Sequence, residues 1–334
     1  MSTQLDYSVG IGREVNYGVA VTPTRFVESE AKATYDVQTV KGRGLRPGKG
    51  VARSSRHSIS RFEGSTDIEI EVPTSGFGML LNAVMGSVTN TLVSAGLYQQ
   101  VHTLSKTDPH PTFTIQEVLP TLDGVYTHPH TFAGCAFDSL EISAKEGEYV
   151  QAKLSATIRR LLTDVAATAA SYPAVDSLFT FVGGEIRVGT ATLAAPTTTA
   201  LATVLGAPKG NVRDASVAVK RNLDSNGYNL GGAGYRVRQP VLGRPEVTGK
   251  LTVEYTDNDL RDAYLNQQNL SMLLTFTNGT AALQIALPAI RLKGEVPASN
   301  GGEPITQSID FEAFDNGTAA EPIWITYRTL DTTP

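Results

Sequence analysis

Seven basic residues crowd into 40-VKGRGLRPGKGVARSSRHSISRFEG-64: Lys41, Arg43, Arg46, Lys49, Arg53, Arg56 and Arg61, with no acid before Glu63. Such a cluster has the chemistry to neutralise phosphate, and the glycines among them let a backbone approach a ligand closely. It is also what a long exposed hairpin looks like. In 67-DIEIEV-72 the carboxylates Asp67, Glu69 and Glu71 recur at every second position. Paired acids can move protons, but on a strand this spacing puts all three on one face, a solvated or lumen-facing row. Four histidines, His102, His110, His128 and His130, fall close together, and His128-Pro-His130 has chelating spacing. Their prolines mark them as loop residues instead. Cys135, in 133-AGCAFDSL-140, reads as a small buried thiol at the start of a strand. Gly10-Ile-Gly12 lacks the third glycine and the βαβ context of a dinucleotide fingerprint and reads as part of a flexible N-terminal arm. No Gly-x-Ser-x-Gly elbow, Walker loop or His-Glu-x-x-His motif occurs. The residue types point to no enzyme, no cofactor and no metal.

The basic run is local. With 28 Lys+Arg against 33 Asp+Glu the formal net charge is −5, which argues against a dedicated nucleic-acid binder and makes an acidic surface the natural partner of the run. At 334 residues and 41% hydrophobic content two moderate cores are expected, from roughly 100–200 residues per domain. One cysteine excludes an internal disulfide framework and a Cys-based zinc cluster, as expected for synthesis in a reducing cytoplasm. No run approaches the ~20 apolar residues of a membrane helix, and the first residues do not read as a signal peptide. Asn278-Gly-Thr280 and Asn316-Gly-Thr318 match the glycosylation sequon, but Asn-Gly is also a hairpin turn, and that is the reading taken.

The elements that must carry these residues are written twice. In 64-GSTDIEIEVPTSGFGMLLNAV-84 and 249-GKLTVEYTDNDLRDAYLNQ-267 a glycine leads into an alternating strand, a polar turn and a short helix. Ile68, Ile70 and Val72 oppose the acids in the first; Leu251, Val253 and Tyr255 oppose Lys250, Thr252 and Glu254 in the second. Each is preceded by a strand (33–40, 215–223) and a long Gly- and Arg-rich excursion (40–64, 224–249), and followed by a strand pair (139–158, 289–314). The second excursion carries Arg236, Arg238 and Arg244. The expected fold is mainly β with short flanking helices, as two tandem domains from an internal duplication. Their boundaries are 1–160 and 179–334, joined by a linker over 161–178. A first-copy insertion, 86–130, is expected outside the shared core.

The order of these segments resembles the tail tube (major tail) proteins of long-tailed, non-contractile phages, especially of the actinobacteriophage type. The resemblance runs through 14-EVNYGVAVTPTRFVE-28, 62-FEGSTDIEIEVPTSGFGMLLNAVMG-86, 111-PTFTIQEV-118, 131-TFAGCAFDSLEIS-143 and 303-EPITQSIDFEAF-314. It implies domains of β-sandwich or half-barrel type, six to a ring, stacked through long hairpins into a tube that conducts DNA. For a duplicated chain it implies three subunits per ring, in a virion tail with terminator, tape-measure and distal-tail proteins as further partners. Under it, Lys41, Arg43, Arg46, Lys49, Arg53, Arg56, Arg236, Arg238 and Arg244 become ring-stacking residues. Asp67, Glu69, Glu71, Thr252 and Glu254 become candidates for the channel lining, with the outer surface as the other place for that face. A distal-tail or tail-tip ring of the same fold, and a carbohydrate-binding β-sandwich, are the alternatives. The sole tryptophan, Trp324, lies in an alternating terminal strand.

Overall fold

Alternation along 67–72 folds as period two requires. In the computed structural model, which describes residues 6–334 except 30, 45, 122–126, 174–176, 295 and 300, Ile68, Ile70 and Val72 are buried while Asp67, Glu69 and Glu71 are exposed. The first half contains β1 (Ser8–Arg13), β2 (Arg25–Val27), β3 (Ala31–Lys41), β4 (His57–Glu71), α1 (Gly78–Met85), β5 (Gly86–Ser94), β6 (Leu97–Leu104), β7 (Phe113–Pro120), β8 (Thr127–Lys145), β9 (Gln151–Ile158) and β10 (Arg160–Leu162). The second contains β11 (Gly184–Gly189), β12 (Leu193–Ala194), β13 (Thr203–Val204), β14 (Val212–Lys220), β15 (Glu246–Glu254), α2 (Asp259–Leu265), β16 (Leu270–Asn278), β17 (Ala281–Gly294), β18 (Thr306–Ala313) and β19 (Trp324–Thr329). The fold is mainly β with two short helices.

Strand pairing repeats between the halves. The antiparallel order β1-β7-β8-β9-β4-β3 is matched by β11-β16-β17-β18-β15-β14. The outer edges match too: β10 pairs with β8 and β19 with β17. β8 and β17 are long because each changes partners along its length, pairing first with β7 or β16 and then with β9 or β18.

The halves are hydrogen-bonded to each other. β14 adds to the second part of β8 in continuous register, from Asp214 opposite Lys145 to Lys220 opposite Ser139. The result is one uninterrupted run of eight strands, β3-β4-β9-β8-β14-β15-β18-β17. A second seam joins β19 to β6. A single hydrophobic cluster runs through both halves, from Ile11, Ile68 and Phe137 to Leu251, Phe276 and Phe311. Helix α1 is buried over almost its whole surface, as a helix with apolar residues all round must be, and Gly86 ends it in a left-handed conformation at φ 82°.

Several expectations change. Gly10 and Gly12 lie in β1, whose Val9 and Ile11 are buried in the core, so this is a strand and not an arm. Of the segment 86–130, only the β5–β6 hairpin lacks a counterpart in the second half. β7 is the counterpart of β16, and its Phe113 and Ile115 are fully buried. The reason is that both faces of β7 meet other parts of the chain, which gives 113-FTIQEV-118 no solvent-facing row to read. His128 and His130 stand on β8, not in a loop. The segment 161–178 begins inside β10. Trp324 is buried in a small satellite cluster with Leu193, Val204 and Ala286, so it offers no exposed aromatic platform.

Gly249 shows how closely the strands are packed. A Cβ there would stand 2.2 Å from both Phe311 Cζ and the Ser216 carbonyl oxygen, and a backbone oxygen cannot swing aside. Gly249→Ala is expected to lower stability by about 1–3 kcal/mol in urea unfolding, while Gly210→Ala, with open space around it, leaves the midpoint unchanged.

Candidate assembly surfaces

The eight-strand run has one apolar face in the core and one polar face in solvent. Glu69 and Glu71 from β4 and Thr252 from β15 line a single groove on the polar face, with Glu141, Lys145 and Lys250. Asp67 lies on the same face one step along β4, and Ser155 donates to its Oδ1 at 2.5 Å. Glu254, at the end of β15, is held by Arg213 through Nε at 2.8 Å and Nη2 at 2.5 Å.

The acids do not form an unrelieved belt. Lys153 Nζ is 2.8 Å from Glu69 Oε1, and it holds the Glu69 carboxyl below the usual carboxylate range. Across the strands the signs alternate: Glu69, Lys153 and Glu141 stand side by side, as do Lys250, Asp310 and Lys293. Lys32 faces Asp67, Lys145 faces Asp214, and Lys220 faces Glu246. Opposite charges directly across strands are stabilising, like charges costly. The alternation along 151-QAKLSATI-158 already put Lys153 on an exposed face. What one strand cannot reveal is the register that sets it between two glutamates.

The two excursions behave differently. Lys41, Arg43, Arg46, Lys49, Arg53 and Arg56 are all exposed on the hairpin between β3 and β4. Its backbone hydrogen bonds, Gly42 N to Arg56 O at 2.8 Å and Lys49 N to Arg46 O at 3.3 Å, stay within it. The ribbon also exposes Val37, Val40, Val51 and Ile59. The second excursion, between β14 and β15, instead lies across the first half. Tyr235 stacks on Phe62 with centroids 4.5 Å apart, Tyr228 Oη donates to Phe62 O at 2.7 Å, and Phe62 N donates to Gly234 O at 2.8 Å. Arg236 is buried, donating to Ile158 O at 2.6 Å and Ser225 O at 2.9 Å. Arg238 is exposed but paired with Asp224 at 2.6 Å, and Arg244 is exposed. Basic residues in equivalent excursions therefore do different work, one set presented to solvent and Arg236 locked inside the chain.

The buried polar groups are structural. Glu14 accepts from Gly18 N, Thr112 Oγ1, Thr114 Oγ1 and Gly134 N, all at 2.8–3.0 Å. Arg159 donates to Tyr17 O and Arg236 O. Burial pushes Tyr17 up to about 12 and lowers His102 to about 3, and it pushes the Cys135 thiol up. His110 is lowered to about 4 by burial and by the nearby Arg221 charge. Such histidines are neutral at physiological pH and packed within the fold. No group of three or more His, Cys, Asp or Glu side chains is placed to hold a metal among the described residues, and among them no helix is long and apolar enough to cross a membrane.

Charged residues thus lie on a sheet face and a projecting hairpin, while His102, His110 and Cys135 are packed inside. The sequence profile of the phage tail tube protein family matches residues 5–313, and the chain belongs to that family. Its place is thus structural, in the virion tail. A search among curated proteins found no match to this chain.

Two outcomes follow. Arg236→Ala strands the Ile158 and Ser225 carbonyls and is expected to cost about 2–3 kcal/mol in chemical denaturation, against less than about 0.5 kcal/mol for exposed Arg53→Ala. Burial raises Glu117, on β7, to about 7. Its contribution to stability is therefore full below the ordinary glutamate range and is lost as pH rises through about 7. The melting temperature should fall from about pH 4.5 to about pH 7, the window between the two pKa values, and Glu117→Gln should flatten that fall.

Proposed function

We propose that three copies of this chain close a ring, that rings stack into the tail tube, and that DNA passes from capsid to host along the channel. The observation that carries this reading is the seam between β14 and β8. It is a strand of one half completing the sheet of the other, and the same two edges are left open at the ends of the eight-strand run. β3 has β4 as its strand partner, and among the described residues β17 beyond Ile290 has β18 on one side and no strand on the other, where β16 ends. Pairing β3 of one chain with that edge of β17 in the next repeats the internal seam. Three repeats give twenty-four strands. At about 4.8 Å per strand and a tilt of about 40°, such a barrel measures about 45–50 Å between backbones, wide enough to admit a DNA duplex.

The family resemblance and the repeated pairing support reading each half as one tube domain, 1–160 and 179–334, arisen by duplication. Asp67, Glu69, Glu71, Thr252 and Glu254 then face the channel. Passage requires a wall that does not hold phosphates. Each lysine on this face stands beside a carboxylate, which removes the counterion-release gain that a free cation offers to DNA. The exposed hairpin residues Lys41, Arg43, Arg46 and Lys49 reach the next ring, since the ribbon extends six residues of β3 beyond Tyr35, about 20 Å at strand spacing. Arg238 and Arg244, on the second excursion, lie toward the same end. Terminator, tape-measure and distal-tail proteins would meet the finished tube.

Electron microscopy of the purified protein tests this directly: long tubes whose rings hold three chains are expected. Six chains per ring would remove the ring closure, and protein that never polymerises would remove the tube subunit. Charge reversal by Glu69→Lys and Glu71→Lys should leave tubes assembled but slow genome delivery, with relief by added salt. Normal ejection at low salt would place those carboxylates away from DNA.

A further inference from the structure

The second excursion, 221–245, is a clamp across the end of the neighbouring half, and we infer that the basic hairpin 42–56 of one chain makes the same clamp on the second half of the next chain in the ring. The inference rests on the ring reading above and identifies its partner surface.

The internal clamp is on the page in detail. Leaving β14, the chain turns over the first half: Arg221 N donates to Asp138 O, Leu242 N to Asp108 Oδ1 at 2.9 Å, and the Gln239 amide to His110 O. Further on, Arg236 caps the end of β9 at Ile158 O and Tyr235 covers Phe62. The excursion thus leans toward the side on which β14 pairs with β8. Every strand it crosses has a counterpart in the second half. There, the counterpart of the end of β9 is the end of β18, where Ala313 and Phe314 run into Asp315. Phe314 is 37% exposed, with Arg291 over its ring, and Asp315 and Glu246 are exposed beside it. No segment of the described chain crosses this end as 221–245 crosses the first.

The hairpin 42–56 has what that uncovered end lacks. It leaves β3 and β4, the counterparts of β14 and β15, so a chain whose β3 pairs with the neighbour's β17 directs its hairpin over the neighbour's β17, β18 and β15. Arg53 and Arg56 on its returning arm bring guanidinium groups to Glu246 and Asp315, in the role that Arg236 plays on Ile158. Val51 and Ile59 supply apolar cover for Phe314. Its outgoing arm and turn remain free for the ring above.

Disulfide trapping in assembled tubes distinguishes the surfaces. Cys135 is fully buried and does not compete. Arg53→Cys combined with Asp315→Cys, and separately Arg56→Cys with Glu246→Cys, should cross-link on oxidation, and the covalent products should stop at three chains because the contact closes within one ring. A ladder running beyond three chains would put the hairpin arm on another ring and overturn the clamp. So would intact tubes in which neither pair cross-links. Wild-type protein that forms no rings would remove the clamp and the ring reading together, and microscopy of the same samples separates that case from failure of the clamp alone.

Discussion

Backbone hydrogen bonding at sheet edges governs this molecule. Each strand carries donors and acceptors on both sides, and an edge left without a partner is a template for another strand. The seam from Asp214–Lys145 to Lys220–Ser139 satisfies one such edge by joining the two halves. The core, the continuous polar face and the end-to-end placement of the excursions all follow from that junction. The β19–β6 pairing and the second excursion add further ties between the same two halves.

The polar face shows how a charged surface can be built to be inert. A row of like charge such as Asp67, Glu69 and Glu71 repels along its strand unless the neighbouring strands carry the opposite sign. Setting Lys153 between Glu69 and Glu141, and Asp310 between Lys250 and Lys293, cancels charge at the spacing of adjacent strands, about 4.8 Å. That is shorter than the screening length of about 8 Å at physiological salt, so opposite charges offset one another close to the sheet face. The face is hydrated and charged in detail but nearly featureless to a ligand farther off.

Much of this was legible in the sequence because alternation is a local property. The burial of Ile68 and Ile70, the exposure of Glu69, the two helices and the order of the matched strands could all be read from spacing. Register was not legible. Nothing in 151-QAKLSATI-158 taken alone sets Lys153 opposite Glu69, and nothing in 224–249 says that Arg236 turns inward while Arg53 stays in water. β1, and the place of β7 in the core though not its being a strand, were misjudged for a related reason. Strands with both faces covered lose the alternating signature, and Gly10 and Gly12 imitate a loop while making room for Pro23, Phe26 and Thr22, which lie within 3 Å of where their Cβ atoms would be.

The seam between β19 and β6 gives the order of synthesis a physical role. β6 ends at Leu104 and its partner begins at Trp324, so a ribosome adding about 5–20 residues per second completes the edge roughly ten to forty seconds after exposing it. Tyr327 then donates its hydroxyl to Pro73 O at 2.9 Å, and Asp331 accepts from Gly76 N at 2.5 Å, tying the late strand to the turn before α1. Throughout that interval the N-terminal half is an incomplete sheet with an open flank in a crowded cell. The last strand acts as a latch on the whole body, closing the flank of β6 with residues from near the opposite end of the sequence.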